Sequence, residues 1–224
     1  MANFLLIDTS TACCSVAIAK DNEVLYQKII ETGNQHATML PAFSQACLQS
    51  TNILLKDINA IGISIGPGSY TGLRVGLSFA KAICYANQIP LIAVSTLQMI
   101  TYGMLTITNH TKGIYLPMID ARRMEVFTAN LNEKADFIKE PFPKIINDSF
   151  INELPTTEKI FAAGNGAFKL KSFTHQHSMQ IIDEQICKAQ YLATPTFEKF
   201  SKNDFSDIVN TEPFYLKQFG EIVV

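Results

Sequence analysis

The sequence predicts an α/β fold built in two halves. Three observations predict it. Short apolar runs of the kind that form buried strands alternate with longer helical patterns. The order β-β-β-α-β-α-β-α runs through residues 1–105 and again through 106–224. Of the 224 residues, 47% are hydrophobic, enough for a sizeable core without metal or disulfide staples.

The elements follow in order. Phe4–Ile7 reads as a buried strand, Cys13–Lys20 as a second and Glu23–Ile30 as a third. Short turns at Asp8-Thr9-Ser10-Thr11 and Lys20-Asp21-Asn22 join them into an antiparallel meander. Asn34 is placed to cap a helix to about Ser50, with Ala37, Leu40, Phe43, Ala46 and Cys47 as its apolar stripe and Pro41 as a kink site. Then come a strand at Ala60–Ile65, a helix at Leu73–Asn87, a strand at Pro90–Val94 and a helix at Thr96–Leu105. The second half opens with strands at Ile114–Ile119, Glu125–Leu131 and Lys134–Pro141. A short helix at Asp148–Glu153 and a strand at Lys159–Ala163 follow. The Gly164-Asn165-Gly166 turn leads into a helix to about Ser172. A strand at Ser178–Ile182, a helix at Glu184–Ala193 and a loop-like tail from Ser201 to Glu212 complete the chain. Topology repeats between the halves, whereas the sequences do not align. Such a duplication suggests an actin-like (ASKHA, ribonuclease H-like) architecture of two subdomains, each a mixed sheet with helices outside.

Composition narrows the function. Lys and Arg number 18 against 20 Asp and Glu, so the chain lacks the basic excess of a stand-alone nucleic-acid binder. Five cysteines (Cys13, Cys14, Cys47, Cys84 and Cys187) with no Cys-x-x-Cys pair argue against a disulfide framework and a thiolate zinc site. The N-terminal run meets Asp8 without a basic region, unlike a signal peptide, and the longest apolar helix contains Arg74 and Lys81. A cytoplasmic protein without a membrane span is expected.

The sharpest motif is Gly66-Pro67-Gly68-Ser69-Tyr70-Thr71-Gly72-Leu73-Arg74-Val75-Gly76, which follows a strand and opens a helix. Such a loop can turn N–H groups toward an anion. It matches neither a Walker A loop, for no Lys follows Gly72, nor a dinucleotide fingerprint, for Thr71 stands at the third glycine position. A tight strand–helix connection without a ligand is an equal reading. Gly72, Gly76, Ala80 and Cys84 recur every four residues, a stripe that packs either on the chain's own sheet or on another chain. Asp8, Thr9 and Ser10 occupy a turn that could cradle phosphate, although a hydrogen-bonded turn is the commoner use. His36 lacks the second histidine of a metal pair, because Leu40 stands four residues on. Asp120-Ala121-Arg122-Arg123-Met124-Glu125 reads as a salt-bridged hairpin or a contact surface, with the hairpin preferred.

Together, Leu6–Ser10, His36–Pro41, Gly66–Gly76 with Ala80-Lys81, Ile119–Arg122 with Glu125-Val126-Phe127, and Pro213-Phe214-Tyr215-Leu216-Lys217 resemble the TsaB (YeaZ) family. The resemblance spans almost the whole chain. It implies an actin-like fold and a part in making N6-threonylcarbamoyladenosine in tRNAs that read codons beginning with A. It further implies a non-catalytic paralogue of TsaD that pairs with TsaD, is joined by TsaE, forms a homodimer when alone and meets tRNA only through the complex. No cofactor is expected to be held tightly by this chain, with ATP and Mg²⁺ left open at the complex interface. The implied partner contact lies on the helices carrying His36, Leu40, Gly72, Arg74, Gly76, Ala80 and Cys84. On this reading a bulky residue at Gly76 or Ala80 should abolish pairing and spare the fold. The alternative is an actin-like ATPase or small-molecule kinase acting alone through Asp8, Thr9 and Ser10.

Overall fold

The computed structural model describes residues 1–31, 35–176, 179–184 and 186–217, except for the side chains of residues 174–176. The first half contains β1 (Asn3–Asp8), β2 (Cys14–Lys20), β3 (Glu23–Ile30), α1 (His36–Thr51), β4 (Ala60–Ser64), α2 (Tyr70–Asn87), β5 (Leu91–Val94) and α3 (Thr96–Ile107). The second contains β6 (Ile114–Asp120), β7 (Glu125–Leu131), β8 (Phe137–Ile145), α4 (Asp148–Glu153), β9 (Ile160–Ala163), a 3-10 run at Ala167–Gln176, β10 (Met179–Ile182), a 3-10 turn at Ala189–Leu192 and α5 (Ala193–Ser201).

The strands form two five-stranded sheets, ordered β3-β2-β1-β4-β5 and β10-β9-β6-β7-β8. In each, the first three strands form an antiparallel meander, and the remaining two run parallel to the first. The duplicated order read from the sequence is therefore present in the pairing itself. β1 is buried on both faces, as its unbroken apolar run requires. Phe4 and Leu6 face a central core, while Leu5 and Ile7 face an outer core with residues of α1 and α2. β6 divides likewise: Tyr115 and Ile119 join the central core, and Ile114, Leu116 and Met118 join a third core under α4 and the 3-10 run.

The two sheets divide near residue 106, but the helices do not. α3 packs on β6, β7 and β9 of the second sheet. In return, α5 packs on β1, β4 and β5 of the first. Phe4 meets Phe197 and Phe200 of α5 at ring separations of 6.5 and 5.2 Å. Each half thus gives its last helix to the other, and the exchanged helices fill the central core.

Several predicted elements differ. β8 lies at Phe137–Ile145 instead of Lys134–Pro141, because Asn132–Asp136 is taken up by a hydrogen-bonded turn. α2 begins at Tyr70, three residues early, because Ser69 caps it: the Ser69 hydroxyl accepts from the Gly72 N–H at 3.2 Å. The inward residues of α1 are His36, Leu40, Ser44 and Cys47, while Ala37 is exposed. Asn34, the expected cap, lies outside the described residues, as do His177 and Ser178; no side-chain cap bond forms at Gln35. The helix after Gly166 is a 3-10 run. Of the helix expected at Glu184–Ala193, the described residues 186–188 are not helical and Ala189–Leu192 is a 3-10 turn; the α-helix of this region, α5, begins only at Ala193 and was not read from the sequence. Residues 186–188 instead lead away from β10, and the Ala189 N–H donates to Ser15 Oγ on β2 at 2.7 Å. This segment crosses from one sheet to the other, and extended chain covers about twice the distance per residue that a helix does.

Candidate functional site

Four of the sequence motifs converge where β1, α2 and the β6–β7 hairpin meet. At the end of β1, Asp8, Thr9 and Ser10 are all fully buried. Asp8 Oδ1 accepts from Ser64 Oγ at 2.5 Å and from the Ser10 N–H at 3.1 Å. Burial pushes the Asp8 carboxyl above its ordinary range, opposed by those hydrogen bonds. The Ser69 N–H donates to the Ser10 carbonyl at 2.7 Å, and Thr9 Oγ1 donates to the Gly72 carbonyl at 2.8 Å. The turn is therefore sealed beneath the glycine-rich loop. It is a hydrogen-bonded turn, the commoner of the two uses weighed from the sequence, and among the described residues Asp8 Oδ2 and Ser10 Oγ are buried without a hydrogen-bond partner. The loop is itself covered: the Phe214 N–H donates to the Ile65 carbonyl at 2.7 Å.

The small-residue stripe of α2 is likewise turned inward. Gly72, Gly76, Ala80 and Cys84 are buried within the chain. A Cβ on Gly72 would collide with the Thr9 carbonyl oxygen, and one on Gly76 with Thr9 Oγ1. The stripe lets the helix sit directly on the β1–β2 turn. His36 and Leu40 are buried too, with His36 Nε2 3.4 Å from the Cys13 carbonyl oxygen. Of the seven residues expected at a partner surface, only Arg74 is exposed. The two helices do present an outer face, to which Leu40 and Arg74 of those seven contribute beside residues that were not expected there. Ala37, Leu40, Arg74, Val75, Ser78 and Phe79 line a shallow, mainly apolar groove of about 370 Å³. Tyr85, nearly two turns beyond, is 80% exposed. Spacing alone could not separate the faces of α2, since both carry small and apolar side chains.

Asp120 ends β6 as Asp8 ends β1. The hairpin after it is salt-bridged, as preferred from the sequence, although the partner is Lys169 of the 3-10 run. The nearly buried Lys169 ammonium pairs with Asp120 and donates to the Glu125 carbonyl at 2.6 Å. The Arg122 N–H donates to Asp120 Oδ1 at 2.9 Å. Residues 213–217 strap the two halves together. The Tyr215 ring packs on Tyr70 at 4.9 Å, and its hydroxyl accepts from Arg74 Nε at 3.0 Å. The Arg74 guanidinium lies 4.0 Å over the Tyr70 ring. Lys217 then pairs with Glu125 on β7 at 2.5 Å. The sequence singled out Pro213–Lys217 without a role, and Lys169 carried no signal.

Among the described residues no cluster of three or more His, Cys, Asp or Glu could hold a metal. All five cysteines are free and buried. Burial pushes the Cys13, Cys14 and Cys84 thiols up to about 12, which keeps them unreactive at neutral pH. Among the described residues no helix is long and apolar enough to cross a membrane.

The family model for TsaD, tRNA N6-adenosine threonylcarbamoyltransferase, matches residues 28–202. The tRNA threonylcarbamoyladenosine biosynthesis protein TsaB of Bacillus subtilis (strain 168) is 29% identical over 139 residues, 62% of this chain and 59% of that one. Its counterpart in Escherichia coli (strain K12) is 35% identical over 125 residues, 56% and 53% of the two chains. The chain belongs to the TsaB (YeaZ) branch of the TsaD family. The matched stretch spans between half and two thirds of those two TsaB relatives. The structure of YeaZ from Pseudomonas aeruginosa superposes with a TM-score of 0.80 at 21% identity, covering 96% of this chain and 100% of that chain. The fold, the duplicated actin-like one of two mixed sheets, is therefore shared with that structure.

Proposed function

We propose that this chain is a non-catalytic subunit that pairs with TsaD and supports it in making N6-threonylcarbamoyladenosine in tRNA. Membership of the TsaB family supports the pathway. The observation that carries the role is the contrast between the two faces of α2. Its inner face closes over Asp8–Ser10, and the matching carboxylate of the second half, Asp120, is held by Lys169. Phosphoryl chemistry needs open, preorganised positions for phosphate and Mg²⁺; at the first turn one carboxylate oxygen of Asp8 is taken by Ser64 and Ser10, and at the second Asp120 is paired with Lys169. The outer face offers an apolar groove with α1, the kind of surface another helix pair covers. Alone, the same face pairs with a second copy. TsaE joins the heterodimer, and any ATP and Mg²⁺ act at the junction with TsaD.

Size-exclusion chromatography with light scattering, on this chain mixed with TsaD from the same source, tests the reading. A heterodimer is expected. Ser78→Arg, an exposed change in the groove, should abolish it without altering the melting temperature. Pairing that survives Ser78→Arg would move the interface elsewhere. The alternative, an ATPase or kinase acting alone, predicts tight ATP binding by the single chain that is lost on Asp8→Ala.

A further inference from the structure

The β6–β7 hairpin carries charge that nothing inside the described chain uses. Its two carboxylates are taken, Asp120 by Lys169 and Glu125 by Lys217. Arg122 and Arg123, at its tip, are both exposed, and their side chains make no hydrogen bond, ion pair or ring contact among the described residues. They also hold left-handed backbone, with φ of 72° and 47°. Turns of that conformation favour glycine or asparagine, since other side chains adopt it at a cost. Local turn chemistry therefore does not explain the arginines. The tip is nonetheless firmly seated: the Arg122 N–H bonds to Asp120, the Glu125 N–H donates to the Arg122 carbonyl at 3.0 Å, and Lys169 grips the carbonyl of Glu125. Two uncompensated guanidinium groups thus stand on a fixed platform in a chain whose net charge is −2.

We infer that Arg122 and Arg123 contact the phosphodiester backbone of RNA. The inference rests on the proposed role in tRNA modification and adds a direct RNA contact by this chain. Guanidinium forks match phosphate oxygens two at a time. A protein partner is the poorer fit. A stable protein interface needs roughly 800 Å² from each side around an apolar centre; within the run Asp120–Glu125 that carries the arginines Met124 is the exposed large apolar side chain, at 41%, while Ile145, opposite Glu125, and Phe168, next to Lys169, are exposed beside it. Two phosphate contacts position a strand without supplying much affinity, which agrees with the balanced charge of the whole chain.

The test uses the complex of this chain with TsaD and measures tRNA affinity across a salt series. Arg122→Asn with Arg123→Gly removes both charges and keeps residues that accept left-handed backbone. The double variant should pair with TsaD normally and bind tRNA several-fold more weakly at low salt. It should also flatten the log affinity–log salt slope by roughly 1.5, about 0.7–0.9 for each phosphate left without its arginine. Arg122→Lys with Arg123→Lys should retain most of the slope. Normal pairing with unchanged affinity and slope overturns the inference and leaves the TsaD reading standing. Loss of pairing in the double variant also overturns it, because the hairpin would then be a protein contact. If the unmodified chain does not pair with TsaD, the proposed function fails. Salt-dependent tRNA binding by the isolated chain, and its response to the same variant, then decides the arginines separately.

Discussion

Thr9 fixes how closely α2 approaches β1. Its carbonyl oxygen and its hydroxyl occupy the space where Gly72 and Gly76 would carry side chains. Gly72→Ala gains helix propensity of about 1 kcal/mol, but the new methyl meets backbone that cannot rotate away. A net loss of about 1–3 kcal/mol is expected from overpacking, read from urea denaturation; a neutral Gly72→Ala would mean that the helix can lift off. For the same reason Gly76→Trp, which the sequence suggested as a probe of pairing, should unfold the protein rather than report on a partner. Asp8 gives a pH signature. Its folded carboxyl titrates above the ordinary 3.8. Below that value both states are protonated, and the site carries no penalty. As the pH rises past it, the unfolded chain ionises first, so stability falls until the folded carboxyl ionises as well. Asp8→Asn should therefore gain stability relative to the parent as pH rises from 4 toward neutrality. A difference that stays constant with pH would show that Asp8 ionises in the fold as it does in solvent.

At the scale of elements, the strap at 213–217 joins α2 to β7 through two separate contacts, Tyr215 on Tyr70 and Arg74, and Lys217 on Glu125. Tyr215→Ala removes a ring contact and a hydrogen bond, together about 1–2 kcal/mol. It should also speed limited proteolysis within residues 203–217, where the chain otherwise lies along α2. Equal cleavage rates in the variant and the parent would mean that Phe214 and Lys217 suffice to hold the strap. α2 itself shows what a helix's sequence does and does not disclose. Its existence was legible after Gly66–Gly76, but its Ser69 cap was not, and the face assignment needed Thr9, which lies 63 residues from Gly72 in the chain and directly beneath it in the fold.

Across the whole molecule, the exchange of α3 and α5 makes the two halves interdependent. A fragment ending near residue 108 keeps all five strands of the first sheet but leaves Phe4, Leu6 and Ile92 without Leu192, Ala193, Phe197 and Phe200. It also exposes the α3 side chains that fill the second sheet's face. Such a fragment should be insoluble or unfolded by circular dichroism, whereas co-expression with residues 109–224 should restore a soluble pair. A stable, monomeric fragment 1–108 would show that the central core is dispensable to the first sheet.

The sequence by itself determined the order of the strands, the helices of the first half, the duplication and the motifs that carry the family resemblance. These follow from local periodicity, turn residues and composition, each read within a short window. Only the tertiary structure decided that Glu184–Ala193 leaves the helical pattern to cross between sheets, that each half gives its last helix to the other, and that His36, Leu40 and the α2 stripe face inward. It also decided that Asp8 accepts a hydrogen bond from Ser64 and that Asp120 pairs with Lys169. Each of these depends on which residues, far apart in the chain, are brought together to bury apolar surface and satisfy buried polar groups, and periodicity within one segment carries no record of its distant neighbours.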